Sequence, residues 1–348
     1  MSVLGSATLV STTPGYNLGL HKLGTWLAAQ GWDVGYEKLA IARPADLYCF
    51  SVIFSWDIPN LIQQVNWVKG HGDVWIGGPA CTFNGNLIKT ATGINPHIGP
   101  DWRFEEQDGD YKLVRTTRGC AGGVAGPCYA CPVPRMDGAE LRLLSCSFPL
   151  QQHCALLDDN IAQAPFAHHQ MVTLQLQRYR RVDLQSGWEP WWWREWMWEL
   201  WRGLPMIAWR TAFDGLYEEE YVQRLVTFWR DQGVPRNKIW IYVLCGGAET
   251  FDQGMYRCHK ILEWGGEPRV QMYKPNTWLK PRSEPYLQPE LGWTHQRVTN
   301  LPRYFYGYQW RHMGFEEFLT SGAHPGKRKP PVSGEEPSQT RQGRATRS

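Results

Sequence analysis

The chain has 348 residues, a net charge of +3, nine cysteines and 43% hydrophobic residues. Such a chain can form two domains or one large α/β barrel with a sizeable core, and its cysteines are too sparse for a disulfide scaffold. No run approaches the roughly 18 apolar residues of a membrane helix, and the amino terminus lacks a secretory pattern, so a cytoplasmic protein with reduced thiols is expected.

The charge is unevenly placed. Residues 321–348 carry Lys327, Arg328, Lys329, Arg341, Arg344 and Arg347 against Glu335 and Glu336, which leaves the body close to neutral and excludes a basic nucleic-acid platform. This tail is rich in Pro, Gly, Ser and charge, has almost nothing to bury, and is expected to be disordered. Contact with nucleic acid is expected only through it.

The first hundred residues alternate strand and helix signals. A short β run at 7–11 precedes an amphipathic helix at 18–30 that Gly31 stops. The mostly apolar run 46–54 reads as a central parallel strand, 60–70 as a second helix, and 74–78 as a strand ending in a tight glycine turn. This rhythm predicts a Rossmann-like sheet over 1–105, with 84–109 as a linker. Strand signals resume at 113–117, 154–157, 182–185, 206–209, 239–244 and 270–273, with helical stretches between most of them. About six βα units over 106–285 predict a partial (βα)6 barrel, whose chemistry would sit at the carboxyl ends of the strands. Residues 286–320 follow as a C-terminal extension.

Right after the first strand of that series lie Cys120, Cys128 and Cys131, in a loop that also carries Gly119, Gly122, Gly123 and Gly126. Glycines let backbone wrap closely around a cluster and point N–H groups at it. Three thiols with one C-x-x-C pair fit three readings: a structural zinc site completed by Cys146, His153 or Cys154, free buried cysteines, or a [4Fe–4S] cluster with one open iron.

The residues resemble the radical S-adenosylmethionine (SAM) superfamily. Thr116-Thr-Arg-Gly-Cys120, then Cys128-Tyr-Ala-Cys131 and Pro134-Arg-Met-Asp-Gly138, are similar to its T-R-G-C…C-x-x-C…P-x-x-x-G loop. In order downstream, Asp158-Asp-Asn160, Asp183-Leu-Gln-Ser-Gly187, Val243-Leu-Cys-Gly-Gly247 with Met255-Tyr-Arg257, and 304–318 resemble segments of an uncharacterised bacterial and phage branch. Asn17 to Gly31 and Gly77-Gly-Pro79 resemble the opening helix and G-G-P turn of its cobalamin-binding-like amino-terminal domains. The likeness spans nearly everything but the tail. The spacing C-x7-C-x2-C departs from the superfamily's C-x3-C-x2-C by four residues, and an insertion of that length is thermodynamically mild.

The resemblance implies that Cys120, Cys128 and Cys131 ligate a [4Fe–4S] cluster whose fourth iron is chelated by SAM. A one-electron reductant, flavodoxin- or ferredoxin-like, then drives cleavage of SAM to a 5′-deoxyadenosyl radical that takes hydrogen from an unknown substrate. Asp159 and Asn160 are placed to accept the SAM ammonium, Gln185 and Ser186 to meet its ribose or carboxylate, and Gly246 with Gly247 to admit the adenine. Asp159-Asn160 also fits an ordinary turn or helix cap. A degenerate, non-catalytic scaffold is the alternative to an enzyme, as is the zinc-stabilised module.

His21-Lys-Leu-Gly24 ends like a D-x-H-x-x-G cobalamin motif, yet Gly19 stands at the Asp position and His21 in mid-helix, so cobalamin is not expected. In the tryptophan-rich segment 188–201, Trp192, Trp196 and Leu200 share one helical stripe and are expected in the core. Cys146, Cys154, Cys245 and Cys258 lack C-x-x-C pairing and read as small buried residues.

Overall fold

The computed structural model describes residues 4–105, 109, 111–126, 128 and 131–321. The tail beyond 321 read as disordered lies outside these residues, as do Pro127, Tyr129 and Ala130 of the cysteine loop. The protein is a mixed α/β structure built on parallel sheets.

The first sheet holds β1 (Gly5–Ser11), β2 (Trp32–Glu37), β3 (Leu47–Ser51) and β4 (Asp73–Gly77), all parallel, in the order β2-β1-β3-β4. Helices α1 (Leu18–Ala29), α2 (Ile58–Val68) and α3 (Cys81–Thr92) connect and flank them. The apolar run of β3 follows from burial on both faces. Leu47 and Cys49 pack with Ala7, Leu9 and the Leu20–Leu23–Leu27 stripe of α1, while Tyr48 and Phe50 pack with Ile58, Leu61 and Val65 of α2 and Ile88 of α3. The segment expected to be a linker is in fact partly helical: α3 and the single turn α4 (Trp102–Glu105) occupy much of it.

The second half opens with short strands β5 (Leu113–Val114), β6 (Thr117–Arg118) and β7 (Arg142–Leu143), the last two antiparallel and flanking the turn α5 (Val133–Met136). Parallel strands β8 (His153–Leu156) and β9 (Arg181–Leu184) join β5 in the order β5-β8-β9, and α6 (Phe166–Leu176) connects them. A further parallel sheet, β10-β11-β12, comprises Trp209–Ala212, Ile239–Cys245 and Glu267–Met272. Backbone bonds from Val182 N to Pro205 O (3.0 Å) and Ile207 N to Val182 O (2.9 Å) tie β9 to the approach to β10. Six parallel strands therefore follow one another in chain order. The strand expected at 206–209 begins only at Trp209, because Pro205 to Ala208 serves as this seam.

Helices α7 (Glu195–Trp201), α8 (Glu219–Asp231), α9 (Phe251–Glu263), α10 (His295–Tyr306) and α11 (Phe315–Thr320) pack around these strands or follow them among the described residues. One core spans this half, and six tryptophans of 188–229 meet there at centroid distances of 4.8–6.3 Å, mostly edge to face. The stripe differs from expectation. Trp188, Trp198 and Trp201 are buried, while Trp192, Trp196 and Leu200 pack at its margin.

Candidate functional site

The cysteine loop leaves the end of β6 and returns to β7, and the backbone chemistry of its closure is specific. Gly119 has φ of +86° and a Cβ there would collide with the Glu140 carbonyl oxygen, so no other residue fits. Cys120 N donates to Gly138 O at 3.2 Å, which locks the start of the loop to its last glycine. The extra residues between Cys120 and Cys128 close on themselves, since Gly123 and Gly126 exchange two backbone hydrogen bonds of 3.0 Å. Cys131 N donates to Cys128 O at 3.0 Å in the C-x-x-C turn.

The end of β8 grips this loop. Asp158, wholly buried, accepts from Thr116 N, from Thr117 N at 2.7 Å and from Thr116 Oγ1 at 3.0 Å. Burial pushes its carboxyl up to about 6 against the pull of those donors. His168 Nε2 lies 3.0 Å from Thr116 Oγ1 on the far side. Asp159 Oδ2 accepts from Gly119 N at 2.8 Å, and Asn160 Nδ2 donates to Cys120 Sγ at 3.3 Å. Gly122 N (3.3 Å) and Gln163 Nε2 (3.7 Å) point at the same sulfur.

An ion-pair chain runs from α1 to the loop. Lys22 Nζ lies 3.3 Å from Glu105 Oε1, Arg118 Nε 2.9 Å from the same oxygen, and Arg118 Nη1 2.7 Å from Asp137 Oδ1. Burial raises Asp137 to about 7; Arg118 opposes this and the Asp159 carboxylate beside it adds to it.

Facing the thiols is a set of carboxyls that the sequence reading missed. Glu189 follows β9, and Asp214 and Glu218 follow β10. Burial raises Glu189 to about 7 and Glu218 to about 8, with Asp214 adding to both, and burial raises Asp214 as well. Burial likewise pushes the Cys128 thiol to about 12, with the Cys131, Glu189, Glu218 and Asp214 charges adding to it. Cys131 rises to about 11 by burial, with Cys120 contributing. The available signal was acidic residues shortly after two successive strands. Trp192, also missed, donates its indole N–H to Gly122 O at 2.8 Å and so steadies the loop from outside.

Among the described residues, no group of three His, Cys, Asp or Glu side chains converges to hold one metal ion. In an iron–sulfur cube each thiolate binds a different iron, so its sulfurs stand farther apart than the ligands of one ion. The trio's chemistry, three mutually influencing thiols with donors aimed at Cys120, fits that kind of group.

The other expected contacts are spread along the strand ends. Gln185 and Ser186 are exposed just beyond β9. Gly246 N lies 3.4 Å from Glu249 Oε1, and the amide of Gln288 takes both Gly247 N (2.8 Å) and Gly247 O (2.6 Å). His21 is stacked between Tyr16 at 4.1 Å and Tyr36 at 4.6 Å, and a Cβ on Gly24 would collide with the Tyr36 hydroxyl. Packing of α1 on β2 thus explains both His21 and Gly24. Cys154, Cys245 and Cys258 are buried in the core, with Cys146 at its edge.

No helix among the described residues is long and apolar enough to cross a membrane. No family model matches the chain, and no curated protein matches it at a significant level.

Proposed function

We propose that this chain is a radical SAM enzyme, with a Rossmann-like amino-terminal sheet and a partial (βα)6 barrel whose first loop carries the cluster. The observation that carries the reading is the grip of the β8 end on the cysteine loop: Asp159 holds Gly119 and Asn160 holds the Cys120 sulfur. Residues quoted for the resemblance from two separate strands thus meet at one loop. When bound, a [4Fe–4S] cluster with SAM supplies one-electron cleavage of SAM and hydrogen abstraction from substrate.

The chain's own part is ligation and control of charge. Cys120, Cys128 and Cys131 would hold three irons, and two of the thiols must lose protons that burial favours, so loading releases protons. Asn160, Gln163 and Gly122 would bond the Cys120 sulfur. Asp159 is already engaged with Gly119 and stands beside Arg115 at 3.7 Å, which makes it a positioning residue first and an acceptor for the SAM ammonium second. Gln185, Ser186 and Gly246 remain the proposed partners for the rest of SAM.

The test is anaerobic reconstitution with iron and sulfide. The expected result is a brown protein that forms 5′-deoxyadenosine from SAM under reductant, with both lost in Cys120→Ala, Cys128→Ala and Cys131→Ala. Colourless protein, or a cluster that leaves SAM intact, overturns the reading.

A further inference from the structure

A cavity of about 720 Å³ lies against the carboxyl ends of β3 and β4 and the start of α1, which follows β1, between the first sheet and β5. Asn17, Phe50, Gly77 and Phe104 line it from one side, Leu113 and Arg115 from the other. Its place fits a general rule: in open parallel sheets, ligands sit beyond the carboxyl ends of the strands where the strand order reverses. Here that point is the gap between β1 and β3, whose connections run to opposite faces. A mostly apolar cleft with few polar groups, at a junction of two structural units, is also the usual form of a small-molecule site.

Two glycines in its wall have no reason in the fold to be glycine. A Cβ on Gly19, in the first turn of α1, would meet only Asn17 Oδ1 at 3.6 Å, and one on Gly77 only His97 Cβ at 3.9 Å. Neither residue has positive φ. Glycine within a helix costs about 0.5–1 kcal/mol relative to alanine, so Gly19 lowers stability without relieving any clash. What both glycines provide is open wall on the cavity. The adjoining Gly78 is different: its φ is +107° and a Cβ would run into Val52 backbone.

Every arginine and lysine in the wall lies within ion-pair distance of a carboxylate, and Arg115 is the most loosely held of them. Lys22 and Arg118 share Glu105, Arg118 also holds Asp137, and Arg103 holds Asp101. The Nε atoms of Arg115 and Arg118 are both buried without a hydrogen-bond partner, but Arg118 binds Asp137 (2.7 Å) and Glu105 (2.9 Å) through its other nitrogens, whereas the contact of Arg115 with Asp159 Oδ1 is a long 3.7 Å. A guanidinium has five N–H donors, and leaving them unmade in a largely buried position is costly.

We infer that this cavity binds a small amphipathic anion, with an apolar body over Gly19 and Gly77 and a carboxylate or phosphate taken by Arg115. The assignment does not depend on the proposed chemistry at the thiols, because none of Cys120, Cys128 and Cys131 lines the cavity.

The full chain is titrated with 1-anilinonaphthalene-8-sulfonate, an apolar body with one anionic group, and with its uncharged relative N-phenyl-1-naphthylamine. The sulfonate is expected to saturate at one site per chain. Gly77→Leu and Gly19→Leu should abolish binding of both dyes, with circular dichroism unchanged in at least the solvent-exposed Gly19 variant. Arg115→Gln should weaken the sulfonate about tenfold, the loss of one charge-assisted hydrogen bond, and leave the neutral dye within about twofold. Displacement by adenosine monophosphate marks a phosphate ligand, and displacement by decanoate marks a carboxylate. Sulfonate binding that survives Gly19→Leu, that falls equally with the neutral dye in Arg115→Gln, or that neither competitor displaces overturns the proposal.

Discussion

At Gly119 the backbone has φ of +86° and the Glu140 carbonyl oxygen occupies the place of a side chain. At Gly19 the backbone is helical and the nearest atom to a Cβ is at ordinary contact distance. The same substitution should therefore act in opposite directions. Gly119→Ala is expected to destabilise the protein by about 1–3 kcal/mol, through strained backbone and displaced loop closure. Gly19→Ala should stabilise it by about 0.5–1 kcal/mol, through helix propensity. Chemical denaturation of the two variants measures both. A neutral Gly119→Ala would mean that the loop does not need its tight start. Only the presence of these glycines was legible in the sequence. Which of them the fold demands depends on Glu140, 21 positions away, and no local pattern encodes that.

At the scale of elements, the cysteine loop depends on a segment that the sequence places 61 to 72 residues beyond its thiols. Trp192 bonds Gly122 O, while neighbouring Trp191 stacks edge-on with Tyr221 at 4.9 Å and is 37% exposed. Trp192→Phe keeps an aromatic ring and removes the N–H, a loss of about 1 kcal/mol for the hydrogen bond, with the smaller ring's lost packing shared by the Trp191→Phe control. Its expected result is a reconstituted protein that retains less iron per chain than wild type, whereas Trp191→Phe retains the full amount. Equal retention in the two variants would remove Trp192 from the support of the loop. The strands were legible where burial imposes apolar runs: β3 and β8 are almost wholly buried, and β11 is apolar throughout although alternate residues are only half-buried. Two elements were not. β2 is a half-exposed edge strand with the sequence WDVGYE, so no alternation marks it. In α3 the buried stripe is Cys81, Asn84, Ile88 and Thr92. Its spacing is helical but half of it is polar, and the Asn84 and Thr92 side chains satisfy themselves on Ala80 O and Ile88 O. Burial against α2, rather than helix propensity, decides that segment.

At the scale of the whole molecule, the protein buries more acid than its near-neutral body suggests. Burial raises Asp158 to about 6, Asp137 and Glu189 to about 7, and Glu218 to about 8. In the unfolded chain these groups ionise near 4. The native state therefore holds protons that the unfolded state has released, and stability falls as pH rises through the native values. Their contribution is complete below about pH 4, is lost progressively as pH rises from there through the native values, and is gone above about pH 8. His169 acts in the opposite sense: burial lowers it to about 4, so its contribution is lost as pH falls from about 6.5 toward 4. Between pH 6.5 and about 8 His169 is neutral in both states and the carboxyls set the slope, before the unfolded chain's thiols begin to ionise near 8.5. Thermal melts of the metal-free protein should then show Tm falling by at least about 2 °C between pH 6.5 and about 8. Glu218→Gln should flatten that slope without loss of fold, because an amide oxygen can still accept from Asp214 N (2.7 Å) and Gly215 N (3.2 Å) as the carboxylate does. A Tm that holds or rises over this range would mean that the carboxyls are ionised in the native state. The charge facing Cys128 would then be balanced by a cation rather than by protons.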